Sequence, residues 1–122
     1  MPMAALSIGR ILPLVLLAPL LGACVSGESS AGRASALATT VSRASACKAG
    51  APQRTTLDRF LAAEKARGAD AQQISAARAA YIGVSEAETI NHGVKPRPCT
   101  AEERAELKQR MSRIRAGDFT TL

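Results

Sequence analysis

CTAEERAELKQRMSRIRAG, residues 99–117, is the stretch whose reading decides the fold. Thr100 with Glu103 three places on has the spacing of a helix-opening cap. Glu102, Glu103 and Glu106 come early, and Arg110, Arg113 and Arg115 come late, the order that complements a helix dipole. Leu107, Met111 and Ile114 recur at helical spacing and form one apolar stripe, while Glu106 and Arg110 make an i, i+4 pair. Gly117 is placed to stop the helix, so the spacing predicts a helix over 101–115.

Working outward, the same grammar recurs upstream. Thr55 and Asp58 precede Leu57, Phe60 and Leu61, and Lys65, Arg67 and Gly68 close the segment, which predicts a helix over 57–67. Asp70 with Gln73 opens another over 71–82, with Ile74, Ala77, Tyr81 and Ile82 along its stripe and Gly83 as its end. The Gly68-Ala69 connection makes these two an antiparallel hairpin. Ser85 with Glu88 opens a further short helix through Ile90, before Gly93. Lys95-Pro96-Arg97-Pro98 reads as an extended spacer, because each proline disfavours helix at the residue before it. Nothing reads as a strand. The expected fold is all-α, a small helical hairpin of three to four short helices.

Residues 25–46, VSGESSAGRASALATTVSRASA, are mostly Ser, Ala, Gly and Thr. By composition this is a flexible tether, with a random-coil reach of about 26 Å. Its later part, 34–46, has Leu37 and Val41 on one side and would support a frayed helix.

The chain begins with a leader. Met1 to Arg10 holds one positive charge and no acid, and Ile11 to Leu21 is uncharged. That is the pattern of a signal peptide. The apolar run, broken by Pro13 and Pro19, falls well short of the roughly 20 residues a membrane-spanning helix needs. Leu21-Gly22-Ala23-Cys24 follows it and resembles the lipobox of bacterial lipoproteins. The resemblance covers residues 1–24 alone. It implies cleavage before Cys24, attachment of diacylglycerol to its thiol and acylation of its amino group by chains such as palmitate. Val25, where an aspartate would favour retention in the inner membrane, implies the periplasmic face of the outer membrane. An ordinary secretory leader cut after Val25-Ser26-Gly27 is the alternative, and it would discard Cys24. The resulting division is a leader at 1–23, a lipidated cysteine and tether at 24–46, a periplasmic helical domain at 47–119 and a tail at 120–122.

Two cysteines, Cys47 and Cys99, are then left in an oxidising compartment, and a disulfide between them is the natural expectation. Closing so long a loop is worth about 4 kcal/mol in the chain-entropy model. It would matter here, because only Phe60, Tyr81 and Phe119 are aromatic and much of the 47% hydrophobic content is alanine. A free Cys99 at a helix start would instead have a lowered pKa and suit a thiol-redox protein, although no CxxC pair accompanies it. A metal site from Cys47, Cys99 and His92 would lack a fourth ligand and have unusual spacing.

The formal charge of +6 drops by one when Arg10 leaves with the leader. No aromatic residues interleave with the basic ones, which argues against nucleic acid. Anionic envelope components, peptidoglycan or lipopolysaccharide, are the available partners for Lys95, Arg97, Arg110 and Arg113. No nucleophile and base pair, phosphate loop or carboxylate pair is legible, and no cofactor is implied. The functional expectation is a non-enzymatic interaction, assembly or regulatory module with a periplasmic protein partner; a binding module for those polymers is the alternative, and a thiol-redox protein the third.

Overall fold

A computed structural model describes residues 29–122. Cys24 and the leader expected at 1–23 lie outside the described residues. Among the described residues the fold is all-α, with four helices: α1 (Ser30–Ala46), α2 (Thr56–Ala66), α3 (Ala71–Val94) and α4 (Ala101–Arg115).

α1 overturns the expected flexible tether over 30–46 and turns the frayed helix expected over 34–46 into a capped, buried one. Ser29 caps it by accepting a hydrogen bond from the Gly32 backbone N–H at 3.0 Å. Of its residues, Ala34, Leu37, Ala38 and Ala44 are fully buried, and Val41 nearly so. The physical reason is the smallness of the side chains, which by composition alone resembles a flexible linker. Alanine has the highest helix propensity, and small side chains let another helix approach closely. α1, about 25 Å long, therefore becomes the central element, packed along α3 and against α4. Its Leu37 and Val41 join Phe60 and Leu61 of α2, Ala77 of α3 and Leu107, Met111 and Ile114 of α4 in one core. Burial of a side chain such as Leu37 contributes roughly 1.5–3 kcal/mol. Phe119, beyond α4, closes that core edge-on to Phe60, with ring centroids 5.5 Å apart.

The second correction concerns α3. The expected break at Gly83 and the separate helix from Ser85 do not form; one helix runs through both to Val94. A helical glycine costs about 1 kcal/mol relative to alanine, which is too little to stop a helix held from one side. Ala80, Tyr81, Val84, Ser85 and Glu88 are partly covered, and the close packing on α1 holds the helix past the glycine. With no cap to make, the Thr89 hydroxyl donates to the Ser85 carbonyl one turn earlier. Lys95, extended before Pro96, ends it.

Elsewhere the expected elements stand within a residue. α4 spans the expected 101–115, with Thr100 accepting from the Glu103 N–H. Asp70 and Gln73 form the reciprocal capping box of α3. At α2 the expected cap is absent: Thr55 makes no side-chain cap bond, and the Thr56 hydroxyl accepts from the Gln53 N–H instead.

Two polar clamps hold the helices together. Glu64, in the last turn of α2, is 4% exposed; it accepts from Arg33 Nε at 2.5 Å and from the Ser30 hydroxyl at 3.1 Å. Arg33 Nη2 also donates to the Phe119 carbonyl at 2.7 Å, so one guanidinium pins α1, α2 and the C-terminal tail. At the opposite end of α1, the Sγ atoms of Cys47 and Cys99 stand at bonding distance, 2.01 Å, with Cα atoms 5.7 Å apart. This disulfide joins the end of α1 to the start of α4.

Candidate binding groove

Beside the disulfide lies an open groove of about 1310 Å³, between the C-terminal half of α1, the distal half of α3 and the segment that leads to α4. Each wall follows from the local fold. The run of α3 past Gly83 carries Ser85, Asn91 and Val94 to one side, and α1 contributes Val41 and Ala46 opposite them. The extended Lys95–Pro98 segment forms the end, because its prolines keep it out of both helices.

Arg43 builds the corner. Its Nε and Nη2 donate to the two carboxylate oxygens of Glu103, the latter at 3.0 Å, and Nη1 and Nη2 donate to the carbonyls of Arg97 and Pro98 at 3.3 and 3.2 Å. The hydrogen bond from Arg43 holds the Glu103 carboxyl below its ordinary pKa, and the same bond raises that of the guanidinium. Both stay charged. Arg104 adds a bond from Nε to the Cys47 carbonyl at 3.0 Å, so the start of α4 is tied to α1 by side chains as well as by sulfur.

Three cations line the groove without an ion pair among the described residues: Lys48, Lys95 and Arg97. Lys48 is there for a reason visible in the backbone. α1, α2 and α4 all end in the same way, with paired bonds from the two residues after the cap back to the last turn. At α2 and α4 the left-handed position is Gly68 and Gly117; at α1 it is Lys48, with φ 54°. A side chain there costs roughly 1–2 kcal/mol relative to glycine. Gly50, just beyond, has φ 148°, and a Cβ on it would sit 3.2 Å from the Met111 side chain. Tyr81 lines the groove half-buried, and desolvation raises the pKa of its phenol.

Of the cationic residues singled out in the sequence, Lys95 and Arg97 meet at this groove, whereas Arg110 and Arg113 do not line it. Arg110 is engaged on α4 with Glu106 at 2.7 Å, and Arg113 is exposed on the same helix. His92 also lines the groove and is exposed. Arg43 and Lys48 carried no signal in the sequence: Arg43 belongs to a stretch whose composition masked a helix, and Lys48 to the turn that ends that helix. The sulfurs of Cys47 and Cys99 and a carboxylate oxygen of Glu103 lie within 4.8 Å of one another. Their ligand capacity is spent, on the disulfide and on Arg43. The apolar residues Ile82, at mid-α3, and Ile90 and Val94, in its distal half, are exposed at 46%, 64% and 81%. No helix among the described residues is long and apolar enough to cross a membrane.

Comparison with known protein families, curated proteins and solved structures finds no match to this chain.

Proposed function

We propose that the protein is a lipid-anchored, non-enzymatic interaction module of the bacterial envelope, held by Cys24 at the periplasmic face of the outer membrane and docking a periplasmic protein partner. The anchor half of this reading is supported by the leader and by the resemblance of Leu21–Cys24 to a lipobox. The observation that carries the docking half is the groove, where three unpaired cations stand among mixed apolar and polar side chains, exposed Val94 lines one wall and exposed Ile90 neighbours it on α3. Exposed apolar side chains next to uncommitted charge are the composition of a contact surface.

Two experiments test it. Palmitate labelling of growing cells, with intact-mass analysis of the membrane-extracted protein, is expected to report an acylated chain that begins at Cys24; an unmodified soluble chain beginning further on sinks the anchor. A photo-crosslinking residue at Val94 is expected to trap a protein neighbour in living cells, whereas the same residue at Arg110 traps none; equal yields from both sites sink the groove. A binding module for anionic envelope polymers is the second reading, favoured by Lys48, Lys95 and Arg97. Co-sedimentation with peptidoglycan or lipopolysaccharide that is lost on charge reversal of these three would support it.

A further inference from the structure

Resting on that reading of the groove, we propose that its occupant is an acidic peptide segment of the partner protein, one that interleaves carboxylates with apolar side chains. The charge argument comes first. Lys48, Lys95 and Arg97 arrive from the end of α1, the end of α3 and the spacer before α4, and Glu88 is the one carboxylate lining the groove against them. The groove is cationic because three separate segments converge on it, and complementary charge selects the partner.

The kind of anion follows from how these cations are held. A phosphate site is built from oriented donors, of which a bidentate guanidinium is the strongest. The guanidinium held rigidly here, Arg43, is already filled by Glu103 and two carbonyls. What is left is two lysines, point charges on flexible stems, and the exposed Arg97. Such an array suits carboxylates distributed along a chain better than one compact phosphate. Between the cations the lining mixes apolar side chains such as Val41, Tyr81 and Val94 with polar ones such as Ser42, Ser45 and Thr89, a mixture that takes both the side chains and the backbone of a peptide. At about 1310 Å³ the groove exceeds the roughly 300–1,000 Å³ of small-molecule pockets, and it is open to solvent. A peptide segment fits all three properties, with Ser85 and Asn91 of α3 available to its backbone.

Lys48 supplies an independent observation. It occupies a left-handed position that is glycine at the two equivalent helix ends, and its side chain lines the groove. A side chain borne at a backbone position that favours glycine points to a role for that side chain.

The test pans a phage-displayed library of short peptides against the detergent-extracted mature protein, then measures selected peptides by fluorescence anisotropy. Enrichment of acidic residues interleaved with apolar ones is expected, with affinity that falls as salt rises. The variant Lys48→Gly/Lys95→Glu/Arg97→Glu is expected to weaken binding by about tenfold or more, while Arg110→Glu/Arg113→Glu leaves it unchanged. Lys48→Gly alone separates side-chain function from structure: it is expected to weaken binding and leave thermal stability equal or higher. Enriched peptides without acids, or peptides that bind the triple variant as tightly, overturn the proposal. If no acidic peptide binds but sonicated peptidoglycan or phosphatidylglycerol vesicles do, and the triple variant abolishes it, the peptide proposal fails and the groove stands. If no probe responds to the triple variant, both fail.

Discussion

Arg43 and Glu103 form the most consequential single contact near the groove, because the pair holds the spacer and the start of α4 against α1. Glu103 has its pKa lowered first by the hydrogen bond from Arg43 and only partly offset by desolvation. A carboxyl depressed in the folded state stabilises it above the unfolded value, and that contribution is lost as pH falls through the folded value. Thermal unfolding of the wild type and of Glu103→Gln is therefore expected to differ at neutral pH, and the difference to shrink as pH drops below the ordinary value of 4.5. A gap that widens on acidification would contradict the assignment. Asp118, depressed by its hydrogen bonds from Thr120, moves in the same direction in both proteins and cancels from the comparison. From sequence, Glu103 was legible as a cap position but not as the partner of Arg43, sixty residues away in the chain.

At the level of elements, α1 and α3 carry the lessons. A flexible tether would absorb any substitution, whereas a buried helix does not. Leu37→Ala is expected to cost about 2–5 kcal/mol in urea denaturation, since Leu37 is fully buried and its neighbours close only partly over the space. A cost near zero would restore the tether. Gly83 presents the opposite case. It lies within α3, and a Cβ there would meet nothing within 4 Å. Gly83→Ala is expected to stabilise the fold by about 0.5–1 kcal/mol, seen as a raised melting temperature. Loss of stability would mean that α3 breaks at Gly83, as its sequence suggests. Local signals placed α2 and α4 within a residue of their observed bounds, because the Thr100 cap of α4 and the glycine stops of both, Gly68 and Gly117, are written in neighbouring residues, even though α2 forms without a cap bond from Thr55. They failed at α1, where small side chains with high helix propensity look flexible by composition, and in mid-α3, where packing along α1 outweighs the roughly 1 kcal/mol a glycine costs.

For the whole molecule, the core is small and two devices make it hold. Loss of the Cys47–Cys99 bond is expected to lower stability by about 4 kcal/mol, because the reduced chain regains the entropy of a long loop. Denaturation with and without a thiol reductant measures this. The Arg43 and Arg104 bonds span the same junction, so the reduced protein is expected to remain helical under native conditions, and adding Arg43→Ala to it to lower the midpoint further. Unfolding on reduction alone would show that sulfur carries the junction unaided.

By itself the sequence determined the all-α class and the bounds of two helices, put a Cys47–Cys99 pairing ahead of a free thiol, and named two of the groove's three free cations. Each depends on neighbouring residues or on composition, which a linear reading captures. Only the tertiary structure decided that the Ser- and Ala-rich stretch is the central helix, that α3 runs through its glycine, and that Lys48 joins Lys95 and Arg97 while Arg110 and Arg113 stand apart. These turn on which segments approach closely enough to bury one another, and small side chains permit that approach without announcing it.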